Sequence, residues 1–142
     1  MPNRMVVRCV SAVHEFWYRL TGGLVGGRVG RAPVLLLTTI GRKSGRRRTT
    51  PLLYMPDGRD LVIIASNGGS DQHPGWWLNL RRNPLAEVQL GRERLTMRAE
   101  KAGAEEKGRL WPRITGMYPQ YDSYQRRTKR DIPVVILRPE GE

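Results

Sequence analysis

Between Met5 and Leu20 the apolar residues Val6, Cys9, Val10, Val13, Phe16, Trp17 and Leu20 recur at three- and four-residue spacing, which predicts a helix with one apolar face. Gly22 and Gly23 stop that helix, and the glycine-rich stretch to Gly30 reads as a flexible lead-in without a phosphate-loop pattern. From Pro33 the period changes. Six short runs follow at 33–40 (PVLLLTTI), 50–55 (TPLLYM), 60–66 (DLVIIAS), 86–90 (AEVQL), 93–101 (ERLTMRAEK) and 132–139 (IPVVILRP), each bounded by Gly, Pro, Asp or Asn. These predict six strands. Pro56-Asp57-Gly58 and Gly91-Arg92 are short enough to close antiparallel hairpins, so the expected sheet is a meander or barrel and not a βαβ arrangement. Three of the runs are continuously apolar, as expected of strands covered on both faces. Two helices are expected among the strands, at 74–82 behind a helix-starting Pro74 and at 104–117 behind acidic Glu105 and Glu106. The polar and aromatic segment 118–130 (YPQYDSYQRRTKR) is too irregular to assign and is expected at the surface.

The chain has 142 residues, enough for one compact domain: residues 1–31 as helix and lead-in, 32–142 as the β domain. Hydrophobic residues make up 39% and charged residues 27%, a globular balance. The formal net charge of +12 attracts phosphate, carboxylate-rich ligands, nucleic acid or an anionic membrane face, and does not choose among them. A single Cys9 excludes an intramolecular disulfide and suits a reducing cytosol. No run approaches the ~20 apolar residues of a membrane span, and the N-terminal stretch is too charged for a secretory signal, so a cytoplasmic chain is expected. Arg4, Arg8 and Arg19 beside Trp17 and Tyr18 would suit contact with the inner face of a membrane; packing on the protein itself is the alternative.

The chemistry concentrates in four places. Residues 41–51 (GRKSGRRRTTP) form an inter-strand loop rich in cations, hydroxyls and glycines, suited to a ligand bearing both phosphate and a carboxylate chain. Ala65-Ser66-Asn67-Gly68-Gly69 is a small-residue turn that lets backbone groups lie against a planar ring or a phosphate. His73-Pro74-Gly75-Trp76-Trp77-Leu78-Asn79-Leu80 joins a helix N-terminus to two large rings, with core packing as the competing role for the tryptophans. Tyr118, Tyr121 and Tyr124, spaced by three, could wall a pocket. Ser44 and Ser66 have no evident His and acid orienter, and G-x-S-x-G is absent, so no hydrolase set is seen. His14 and His73 lack Cys or closely spaced acidic partners, so no metal is expected.

Five ordered segments carry a resemblance: 35–45 (LLLTTIGRKSG), Thr50-Pro51-Leu52, 65–69 (ASNGG), 74–80 (PGWWLNL) and 117–121 (MYPQY). Together they resemble the deazaflavin (F420)-dependent nitroreductase family of actinobacteria, quinone and nitro-compound reductases, over about 33–139. The resemblance implies an α+β, mainly β fold: a six-stranded antiparallel split β-barrel related to FMN-binding proteins, with an N-terminal helix and two or three short helices. It implies coenzyme F420 as cofactor and hydride transfer to a small electron-poor acceptor: a quinone, enone or nitro compound. Carried over by position, Arg42, Lys43, Ser44 and Arg48 would hold the coenzyme's phosphate and oligoglutamate tail. Thr49, Thr50, Pro51, Leu52 and Leu53, with Ile64, Ala65, Ser66 and Asn67, would line the deazaflavin and its ribityl chain. Gly75, Trp76, Trp77, Leu78 and Asn79 would supply the opposite wall, with Tyr121 closing over the ring. Tyr118, Tyr121, Tyr124 and Ser66 would face the substrate. Asn67, where the family expects Lys, and Leu53, where it often has Tyr, depart from the pattern and bear on substrate preference. Competing readings are a split-barrel protein using FMN, haem or no redox group, and a nucleic-acid binder, the latter set aside because charge is unspecific. Monomer and homodimer are both open.

Overall fold

The computed structural model describes residues 28–29 and 32–140. The predicted helix at 5–20 lies outside them, as does most of the glycine-rich lead-in. The part of the lead-in that is described is β1 (Arg28–Val29), paired antiparallel with the start of β2 (Ala32–Ile40).

All six expected strands form. Two more are found among the described residues, because β1 was not expected and because the run 50–55 is divided. Its first part belongs to β3 (Arg47–Leu53) and its last residue to β4 (Met55–Asp57), with Tyr54 between them. The division is a change of partner: β3 pairs with β2, whereas β4 turns to pair with β5 (Asp60–Ile64). The remaining strands are β6 (Leu85–Leu90), β7 (Glu93–Lys101) and β8 (Val134–Pro139), in the antiparallel order β2-β6-β7-β8-β5-β4. Since β3 continues into β4, one run of chain supplies both ends of the sheet, which curls into a split barrel.

The apolar runs are continuous because β5 and β8 are covered on both faces. Leu61, Ile63, Val135 and Leu137 join Leu35, Leu37, Val88 and Met97 in the barrel core, where Trp76, Trp77 and Leu80 of α1 (Gly75–Arg82) also pack. Val62, Ile64, Val134 and Ile136 point the other way, against Leu110 and Ile114 of α2 (Ala104–Met117) and Tyr121 of α3 (Gln120–Arg127). The strand period of two thus serves two separate cores. No helix among the described residues is long and apolar enough to cross a membrane.

Helix α3 lies in the segment expected to be irregular. It follows Pro119; Tyr121 is its one buried residue, while Gln120, Ser123, Arg126 and Arg127 are exposed. A short 3₁₀ turn (Asn67–Gly69) packs against it. Gly69 has φ +83°, and a Cβ there would stand 3.1 Å from Tyr124 Cα and 3.2 Å from its carbonyl oxygen. Gly69→Ala is therefore expected to cost about 1–3 kcal/mol, from backbone strain and from displacing α3. Urea unfolding would check this; a loss below the ~0.5 kcal/mol typical of neutral surface changes would contradict the close approach.

Candidate functional site

A groove of about 860 Å³ opens between the 41–46 loop, β3, the 65–73 turn, the N-terminus of α1 and Tyr121. Its size is that of a site for a small organic ligand or cofactor.

One end of the groove is cationic. The Gly41 N–H donates to Arg46 O and the Gly45 N–H to Gly41 O, both at 2.8 Å, with Gly45 at φ +71° permitting the tight return. The loop is fastened to α1 through Asn79, which is buried. Asn79 Oδ1 accepts from the Arg42 backbone N–H (3.2 Å) and from Arg42 Nη1 (3.0 Å), while its Nδ2 donates to Thr39 Oγ1 (3.1 Å). Arg42, Lys43 and Arg48 line the groove and make no ion pair among the described residues. Other arginines are neutralised: Arg47 pairs with Glu87, Arg98 with Glu140, and Arg138 with Asp60 and Glu100. Among the described residues, no Asp or Glu lines the groove. Three cations without an acidic counterpart create a positive potential suited to phosphate or carboxylate.

Beyond the loop the groove lining turns apolar, with Pro51, Leu52, Leu53, Ile64, Trp76 and Tyr121. Ser66 and Thr50 add hydroxyls, and the first amides of α1, at Gly75 and Trp76, have no helical acceptor. A cationic end joined to an apolar stretch with aromatic faces fits a molecule with a ring system and an acidic tail.

Tyr121 is buried, and burial, followed by Tyr118 and Tyr124, pushes its phenol well above the usual value. It stays protonated and can act as a hydrogen-bond donor. Tyr118 stands 5.1 Å from the Tyr121 ring and Tyr124 6.0 Å, centroid to centroid. Tyr118 lines an apolar crevice with Met55, Ile114 and Met117 that meets the groove at Leu53, Ile64 and Tyr121.

Of the residues singled out in the sequence, Arg42, Lys43, Ser44, Arg48, Thr50, Pro51, Leu52, Leu53, Ile64, Ser66, Asn67, Gly75, Trp76, Asn79 and Tyr121 share the groove. Thr49 is on the opposite face of β3, where its hydroxyl meets Thr38 Oγ1 at 2.7 Å. Ala65 and Trp77 are packed in the barrel core, Leu78 is off the groove, and Tyr118 and Tyr124 flank Tyr121 without lining it. Sequence reasoning missed Gln72, which lines the groove, and weighed His73, also in the lining, only as a metal ligand, which it rejected.

His73 has a defined state. Arg130 Nη1 lies 3.2 Å from His73 Nδ1, and a guanidinium can only donate, so Nδ1 accepts and carries no proton. Burial, then Arg130, Arg81 and Lys101, holds the imidazole below its ordinary value of 6.5. Below about pH 6.5 the unfolded chain therefore takes up a proton here that the folded chain resists. Stability is complete above that value and falls as the pH drops towards the lowered one. Asp57, held below 3.8 first by Arg113 and then by Arg109, loses its contribution only in more acidic solution. The melting temperature is expected to fall as the pH drops below about 6.5, and His73→Gln to flatten that fall. Equal slopes in both proteins would contradict a neutral His73.

The sequence model of the F420H(2)-dependent quinone reductase family matches residues 10–139. The chain belongs to this family. The F420H(2)-dependent quinone reductase Rv1261c of Mycobacterium tuberculosis is 40% identical to this member over 129 residues, 88% of this chain and 87% of its own. Among solved structures, the F420-H2 dependent reductase FDR-A superposes with a TM-score of 0.68 at 38% identity, covering 74% of this chain and 93% of its own. A second, described as a domain-swapped dimer, superposes with a TM-score of 0.71 at 36% identity, covering 89% and 96%. The F420 reductase split barrel is thus the fold of this family member.

Proposed function

We propose that this family member is an F420-dependent oxidoreductase that binds the coenzyme in the groove and reduces an electron-poor acceptor, a quinone in the first instance. The observation that carries the reading is the cationic end of the groove, which no Asp or Glu of the described residues lines, joined to an apolar stretch. Arg42, Lys43, Ser44 and Arg48 hold the phosphate and acidic tail, with the Arg forks and the mobile Lys suited to different oxyanions. Thr50 to Leu53, Ile64, Ser66, Asn67 and Trp76 hold the ring. When bound and reduced, F420 supplies a hydride, two electrons and a proton in one step.

The protein positions the acceptor, excludes water and stabilises charge. The acceptor lies beside Tyr121, its apolar part towards the crevice at Tyr118. Tyr121 and Ser66 donate hydrogen bonds to the oxyanion that develops as the acceptor takes up the hydride, and solvent supplies the remaining proton. Tyr124 braces Tyr121 from the side, edge to face.

Three further parts of the proposal rest on the sequence or on a relative. Residues 1–31 form a lead-in to the 32–142 barrel. The apolar stripe within that lead-in touches the inner face of the membrane of a cytoplasmic protein. A homodimer is favoured over a monomer because a relative at 36% identity is described as a domain-swapped dimer.

Titration of the purified protein with oxidised F420, followed by absorbance with FMN as control, tests the coenzyme. Micromolar or tighter binding of F420 over FMN is expected. Preference for FMN, or no binding, would overturn the reading.

A further inference from the structure

Arg130, in the linker from α3 to β8, does not line the groove, yet every hydrogen bond of its side chain goes to the turn that does. Nε donates to Ser70 O at 2.8 Å, and Nη2 to Ser66 O at 2.9 Å and Ala65 O at 3.2 Å, while Nη1 meets His73 Nδ1 at 3.2 Å. Thr128, two residues earlier, donates to Asp71 Oδ1 of the same turn at 2.7 Å. The backbone of this linker is held in turn by α3. Gln125 Nε2 donates to Arg130 O at 2.8 Å, and Gln125 Oε1 accepts from the Ile132 N–H at 2.9 Å and from Lys107 of α2 at 3.0 Å. Arg130 therefore ties the 65–73 turn to the helix that carries Tyr121.

The consequence for the groove follows from peptide geometry. In a planar trans peptide the C=O and the following N–H point in opposite directions. With the Ala65 and Ser66 carbonyls drawn towards Arg130, the N–H groups of Ser66 and Asn67 face away from it. Neither N–H has an acceptor among the described residues, and Ser66 and Asn67 both line the groove. Two adjacent backbone donors are thus left for a ligand acceptor.

We propose that Arg130 is a positioning residue for the reduction: it sets the 65–73 turn so that the amides of Ser66 and Asn67 donate to polar atoms of the bound coenzyme's ring. The inference rests on the assignment of the groove to F420. Lysine cannot replace the arginine fully, because an ammonium group has no planar fork to reach four acceptors in fixed directions.

The test uses the full chain, with Arg130→Lys and Arg130→Gln. Both are first checked for cooperative melting, then titrated with oxidised F420. Affinity is expected to fall about tenfold or more in Arg130→Gln and by a smaller factor in Arg130→Lys. A folded Arg130→Gln that binds F420 as tightly as the wild type overturns the proposal. Should the variants not fold, the wild type still decides: on saturation with F420 the backbone amide resonances of Ser66 and Asn67 are expected to shift strongly, and unmoved resonances overturn the proposal. A wild type that fails to bind F420 at all overturns the groove assignment, and this inference with it. Binding without a response at Ser66, Asn67 or Arg130 overturns the inference alone.

Discussion

Replacing Arg42 and Lys43 together by alanine is expected to weaken the binding of oxidised F420 by about two to three orders of magnitude. Hydrogen bonds to charged partners contribute about 1.5–3 kcal/mol each, so two cations could account for ~3–6 kcal/mol. Both side chains are exposed, and solvent screening reduces that sum to ~3–4 kcal/mol. Two features keep the effect large. No acidic group among the described residues lines the groove to neutralise the pair, and Asn79 already holds the Arg42 guanidinium, so little ordering is left for the coenzyme to impose. The variant loses the Arg42–Asn79 bond and about 1 kcal/mol of stability with it, well short of unfolding. The control is Arg92→Ala with Arg94→Ala, which removes the same charge from residues outside the groove. If the control weakens F420 binding equally, the attraction is the general field of a +12 chain. If neither pair matters, the tail lies elsewhere. Raised salt should erode the wild-type affinity and leave the Arg42/Lys43 variant less affected, since the Debye length is about 10 Å at 0.1 M.

How far the sequence reveals this molecule depends on whether a local pattern or a distant partner decides each feature. Strand β7 and helix α2 fall on the boundaries read from the chain, 93–101 and 104–117, because Gly91-Arg92 and Gly103 punctuate them and no remote contact moves them. The run 50–55 looks like one strand, since nothing in its apolar pattern records that β3 pairs with β2 and β4 with β5. Helix α3 was hidden for another reason: one buried tyrosine among polar residues makes no periodic stripe. Its position depends on Gly69, some fifty residues earlier, giving Tyr124 room to approach.

The site shows the same division. The cationic loop and the Pro51–Leu53 edge were legible because composition alone makes them unusual. Thr49 stands off the groove because its hydroxyl is taken up by Thr38 across the β2–β3 pair, a contact that no local pattern records. Arg130 could not have been singled out, being one of several cations in a polar stretch. Only the fold shows that its side chain meets the 65–73 turn.

The second large effect separates two adjacent tryptophans that sequence alone treats alike. Trp77→Ala is expected to destabilise the protein by about 3–5 kcal/mol, within the range for truncating a large core aromatic. Trp77 is 6% exposed and packs in the barrel core with Leu35, Ile63 and Leu137, away from the groove. Against a typical total of 5–15 kcal/mol, that loss moves the urea midpoint far towards unfolding. Trp76 is comparably buried, at 8%, but also forms part of the groove wall. Its replacement by alanine is expected to cost both stability and coenzyme affinity. The informative comparison is the F420 dissociation constant of the folded fraction in each variant. Unchanged affinity in Trp77→Ala with weakened affinity in Trp76→Ala assigns the inner ring to the core and the outer ring to the coenzyme. A Trp77→Ala protein that keeps its stability and loses F420 binding would reverse that assignment and make both rings part of the wall.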